Sequence, residues 1–191
     1  EWRLAKQEDD PAYERYQHVE EMVTHQPTIY LLYRNFWPDG LKCIYIKFGT
    51  KGTSVVYPST ELGYMSRSYM ETRKVTMNTD MTPYPNREDF RKRRSGPNAL
   101  VYSKMQENGE MESSVSSYPL IYSDNSNCTV IRVPKEYGGY GCEMYVSDKN
   151  MQPSEICHYM YKSSCGTDKH IVWNDYCNTA MDEDRNIVWA K

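Results

Sequence analysis

Thr28-Ile-Tyr-Leu-Leu-Tyr-Arg-Asn-Phe36, Trp37-Pro-Asp-Gly40 and Leu41-Lys-Cys-Ile-Tyr-Ile-Lys-Phe48 read as a strand, a turn and a strand. The first run is rich in β-branched and aromatic residues, and Pro-Asp-Gly is turn chemistry. The second run alternates, with Ile44 and Ile46 on one face and Cys43, Tyr45 and Lys47 on the other. Similar runs follow at Thr53 to Tyr57, Glu61 to Arg67, Tyr69 to Asn78, Ala99 to Met105, Tyr118 to Tyr122, Thr129 to Val133 and Cys142 to Ser147, separated by Gly, Pro, Asn and Asp. Eight or nine strands at nearly regular spacing predict an all-β, antiparallel barrel or sandwich. The alternation favours a closed barrel, whose interior at eight strands is wide enough for one small ligand.

Helical patterns lie outside this array. Asp10 is placed to cap and Pro11 to begin a helix over Ala12 to Met22, with Tyr13, Tyr16, Val19 and Met22 as its apolar stripe. Gln26-Pro27 ends it. Ser154 can cap a second helix running to Lys162, with Ile156, Tyr159 and Met160 as the buried stripe. Ile171 to Trp173 reads as an edge strand, whereas the tail from Met181 to Lys191 has no assignable pattern.

The 191 residues suit one large domain or two small ones, and no stretch approaches the ~18 apolar residues of a membrane span. Glu1-Trp2-Arg3-Leu4 lacks a basic region followed by an apolar one, so any secretory signal is expected to have been removed or never to have existed. A net charge of −3 disfavours nucleic acid as the partner. The cluster Arg91-Lys-Arg-Arg94, set between polar residues, reads as a solvated loop tip.

Six cysteines, at 43, 128, 142, 157, 165 and 177, include no C-x-x-C pair and no histidine at metal-ligand spacing, so no metal is expected. A disulfide framework and an oxidising, extracellular location fit better, and spacing leaves all 15 pairings open. Asn127-Cys-Thr129 matches the N-glycosylation pattern. Phosphate-loop, nucleophile-elbow, zincin and EF-hand motifs are missing, so neither an enzyme nor a cofactor is expected. Glu143, in Cys142-Glu-Met-Tyr145, is a carboxylate embedded in a strand. It either faces water or points inward and needs a cation or donors.

Tyr122-Ser-Asp-Asn-Ser-Asn-Cys-Thr-Val-Ile-Arg-Val-Pro134, Gly141-Cys-Glu-Met-Tyr-Val-Ser147 and Pro153 to Cys157 resemble the tick salivary lipocalins that bind histamine and other biogenic amines. Ile29 to Phe36 with Cys43, Arg73 to Thr76, and the Cys157 to Cys177 spacing extend the likeness over most of the chain. The resemblance implies a single lipocalin domain over residues 1–191, an eight-stranded barrel with a short N-terminal helix and a C-terminal helix packed on it. It also implies Cys43–Cys177 and Cys128–Cys157 bridges, which leaves Cys142 and Cys165 for a third.

Carried over by residue, the implied ligand contacts are Phe36, Asp39, Tyr102, Glu143 and Tyr145, with Glu20 the nearest acidic group on the first helix and Trp37 a candidate aromatic wall. Family acidic positions fall on Arg73 and Thr129 here, although Glu71 lies two residues from Arg73 on the same strand face. An inward Arg73 would favour an acidic lipid such as a leukotriene or fatty acid over histamine or serotonin. A third reading is a surface-acting immunomodulator or complement inhibitor that uses the Arg91 to Arg94 loop. In each case a secreted monomer without nucleic-acid or membrane partners is expected.

Overall fold

The computed structural model describes residues 3–37, 40–85, 94–106 and 108–189, with 183–189 as backbone only. Eight strands form the barrel: β1 (Thr28–Arg34), β2 (Lys42–Lys47), β3 (Tyr57–Ser66), β4 (Tyr69–Asp80), β5 (Ala99–Tyr102), β6 (Ser116–Ser123), β7 (Cys128–Val133) and β8 (Gly141–Val146). All neighbours are antiparallel, and β1 closes the barrel by pairing with both β2 and β8. A short β9 (His170–Ile171) adds to β1. The closed barrel is the one the alternating pattern favours, and its eight strands are those of the lipocalin barrel that the resemblance implies. Its inward side chains include Ile29, Leu31, Ile46, Leu62, Leu100 and Ile131, and Val19 and Met22 of α1 (Val19–His25) join the same core.

The structure changes several local expectations. The run from Thr53 does not begin a strand: Ser54 adopts φ 74°, and Val56 N–H donates to the Ser54 carbonyl at 2.7 Å, a tight turn that delays β3 to Tyr57. The first helix is broken into a 3-10 segment, Pro11–Tyr16, and α1. Asp10 does cap the first piece, accepting from Ala12 N at 2.9 Å. The break falls at buried Gln17, whose amide donates to the carbonyls of Gln7 and Ile121, so tertiary partners hold this residue out of a continuous helix.

Helix α2 (Glu155–Cys165) starts at Ser154, which accepts from Cys157 N, but its buried stripe differs from the expected one. Ile156 and Tyr159 are exposed, whereas Cys157, Met160, Tyr161, Ser164 and Cys165 face the barrel. Cys128–Cys157 and Cys142–Cys165 bridges set this rotation, tying the helix to β7 and β8. The unassigned tail forms α3 (Asp175–Trp189), held to β2 by Cys43–Cys177 with Trp173 and Ala180 packed on Tyr30 and Tyr45. Among the described residues no helix is long and apolar enough to cross a membrane.

Arg94 is not part of a solvated tip. It is buried, donates to the Thr82 carbonyl at 2.6 Å and to Gln17 Oε1 at 3.0 Å, and stacks on Tyr84, because these acceptors and the Glu8 carbonyl converge on it. Residues 91–93 of that cluster lie outside the described residues. Nearby, buried Arg132 pairs with buried Glu8, Nε to Oε1 at 2.6 Å, and anchors the N-terminal segment against the outside of β7.

Two outcomes follow from these contacts. Gly63 lies opposite Tyr45, and a Cβ there would sit 1.8 Å from the Tyr45 ring, which must therefore lie across a glycine. Gly63→Ala should lower unfolding stability by about 1–3 kcal/mol in chemical denaturation, as overpacking does. His158 lies 2.9 Å from the Tyr33 hydroxyl through Nδ1, and burial first and Lys169 second push its pKa below the ordinary 6.5. The unfolded chain then takes up this proton more readily than the folded one. Thermal stability should fall as pH drops through about 6.5, and His158→Gln should flatten that part of the Tm profile.

Candidate functional site

The loops after β1, β3, β5 and β7 meet at one end of the barrel, opposite the end from which α1 enters β1. Side chains in a strand alternate in and out, but β1 carries an irregularity between Leu31 and Tyr33 that shifts its parity. Leu31 pairs with Tyr145 on the inner face; past the bulge, even-numbered Arg34 pairs with Glu143 on that same face. On the other side of β8, Ile131 pairs with Glu143. Glu143 thus points into the barrel and is only 1% exposed.

An inward carboxylate requires a counterpart. Lys104, two residues beyond β5 and in phase with inward Leu100 and Tyr102, places its ammonium against Glu143 Oε1. The same nitrogen lies over the Tyr118 ring, 4.8 Å from its centroid. Tyr145 donates its hydroxyl to Glu143 Oε1 at 3.2 Å. Burial first, and the Glu143 charge second, drive the Tyr102 and Tyr145 hydroxyls well above their usual pKa, so both remain protonated donors. Tyr102, Lys104, Glu143 and Tyr145, together with Arg34 and Met105, line a cavity of about 40 Å³. That space holds a few waters at ~10–15 Å³ each and falls well below the ~300–1,000 Å³ of ligand pockets.

The sequence-derived contacts divide into two groups. Tyr102, Glu143 and Tyr145 are brought together in the cavity wall. Glu71 and Arg73 both occupy the inner face of β4, since they pair with Tyr64 and Leu62, but they are exposed and lie outside the cavity lining. Tyr64 donates to Glu71 at 2.5 Å and underlies the Arg73 guanidinium, so each of the two has a local partner.

Glu20 faces solvent at the opposite end, 3.2 Å from Lys51, because α1 turns Val19, Met22 and Val23 to the core and Glu20 lies off that face. Trp37 is 80% exposed and contacts His170 edge to face, so it walls no cavity. Phe36 is half-buried beneath the Arg34 guanidinium, and Asp39 lies outside the described residues. Lys104, Arg34 and Tyr118 were not anticipated. The phase of Leu100, Tyr102 and Lys104 could have revealed Lys104, whereas the bulge conceals Arg34 from any alternating pattern. Among the described residues no group of His, Cys, Asp or Glu could hold a metal ion.

The tick histamine-binding protein family model matches residues 7–179. The chain belongs to that family. The serotonin complex of AM182 superposes with a TM-score of 0.52 at 17% identity, covering 82% of this family member and 90% of that chain. Lobster apocrustacyanin A1 gives 0.50 at 14% identity, over 92% and 90% of the two chains. At these identities the likeness is one of fold. No curated protein matches the chain.

Asn127 acts as a staple in this histamine-binding family member: its Oδ1 accepts from Ser147 N at 3.1 Å and Asp148 N at 2.7 Å, while its Nδ2 is buried. A glycan on that nitrogen would have to unpack the turn between β6 and β7. Protein made through a secretory pathway should therefore show no mass change after N-glycosidase treatment; a loss of glycan mass would show the turn opens.

Proposed function

We propose that this protein is a secreted, monomeric carrier that catalyses no reaction and encloses a small protonated amine, histamine first and serotonin second, with Glu143 as charge partner. The observation that supports this is the setting of Glu143 itself. Its buried carboxylate already accepts an ammonium group, flanked by the Tyr118 face and the Tyr145 hydroxyl. Carboxylate, aromatic face and hydroxyl are the groups that an alkylammonium leaving water requires. Removal of an inflammatory amine at a feeding site is the physiological use that family membership suggests.

A second reading rests on the Arg34 guanidinium and the Lys104 ammonium in the cavity lining, groups that suit the head of an acidic lipid. One calorimetric panel separates the two. Histamine or serotonin should bind the unmodified protein, and Glu143→Gln should weaken that binding by about 2 kcal/mol or more, the cost of losing a desolvated charge partner. Absence of amine binding, together with leukotriene or fatty-acid binding that survives Glu143→Gln, would replace the amine with the acid.

A further inference from the structure

The position beside Glu143 proposed above for an amine is already filled by a side chain of the protein. Lys104 places its ammonium on the oxygen of Glu143 that Tyr145 also addresses, and over the Tyr118 ring. Its backbone is fixed beside this position. Glu112 N donates to the Lys104 carbonyl at 2.8 Å, Met105 bridges to Met111, and the Ser103 hydroxyl donates to the Ser114 carbonyl at 3.1 Å. The two charges differ in freedom. The Glu143 side chain is 2% exposed, whereas that of Lys104 is 21% exposed and sits at the rim on a flexible four-carbon stem.

We infer that Lys104 is a built-in competitor for the Glu143 site, so that an amine binds by exchange: the ligand ammonium takes Glu143 Oε1 as the Lys104 ammonium swings out to water. This rests on the amine reading above. The inference explains why so little free volume adjoins the carboxylate, since the space for the ligand is the space that the lysine stem vacates. It also defines selectivity. Ammonium for ammonium leaves the charge of the buried site unchanged, whereas a neutral ligand would strip Glu143 of this ammonium and leave the buried carboxylate with less compensation. An anion gains nothing by expelling Lys104. Lys104 thereby sets the affinity as well: a site held by its own cation nine-tenths of the time weakens apparent binding about tenfold.

Two measurements test the exchange. In lysine modification followed by mass spectrometry, Lys104 of the unmodified protein should react slowly, and several-fold faster with saturating histamine or serotonin, the reverse of ordinary ligand protection. A fatty acid should produce no such acceleration. In calorimetry, Lys104→Met, checked for native circular dichroism, should bind the same amines about tenfold more tightly. Equal or slower Lys104 labelling with a bound amine, or unchanged or weaker binding by Lys104→Met, would overturn the exchange. If the amine still binds and Glu143→Gln still weakens that binding as expected above, the amine reading stands without the exchange. If neither the unmodified protein nor Lys104→Met binds any amine, both fall together.

Discussion

Closing eight strands into a barrel creates a face that water barely reaches, and Glu143 stands on that face. Its charge has to be met from within, because burying a carboxylate without a cation or donors is costly. Lys104 reaches it from the edge of β5, Arg34 lies beside it on β1, and Tyr145 supplies a hydroxyl. The aromatic composition follows the same requirement. Of the eighteen tyrosines, Tyr57, Tyr64, Tyr102, Tyr118 and Tyr145 join the inner core, where ring faces pack as apolar surface and hydroxyls reach carboxylates, Tyr145 to Glu143 and Tyr64 to Glu71.

The outside of the barrel carries the rigidity. Cys128 and Cys142 occupy outward positions next to inward Thr129 and Glu143, and bridges from both reach α2. Cys43 holds α3 in the same way across 134 residues of chain. Loop closures of 134, 29 and 23 residues constrain the unfolded chain by roughly 3–5 kcal/mol each in the chain-entropy picture. Strand β8 is thus fixed from its outer face one residue from Glu143, so the carboxylate is held in place without any crosslink entering the interior.

The barrel was legible in the sequence wherever alternation is regular, whereas Tyr102, Glu143 and Tyr145 were pointed to by the family resemblance, the strand pattern alone leaving Glu143 facing either water or the interior. Features set by long-range partners were not legible. Gln17 breaks the first helix through hydrogen bonds to distant carbonyls, and α1 beyond it buries Val19, Met22 and Val23 and leaves Glu20 off that face. The rotation of α2 follows its cysteines rather than its largest apolar side chains, leaving Ile156 and Tyr159 in solvent. Trp37 beside a turn carries no local sign of which way it points. Lys104 is in phase with Tyr102, but a lysine just past a strand end carries no local sign that its ammonium turns inward to a carboxylate on another strand.

The bulge in β1 has a consequence for how such pockets diverge. On either side of it, whether a residue meets the guest depends on its count from the irregularity rather than on its identity. Inserting or deleting one residue between Leu31 and Arg34 would exchange inner for outer side chains over the rim of β1 while leaving every amino acid type in place. Relatives sharing Arg34 by aligned identity can therefore present it to opposite sides of the wall. Strand length, and not substitution alone, is a means by which this barrel can acquire a different cargo.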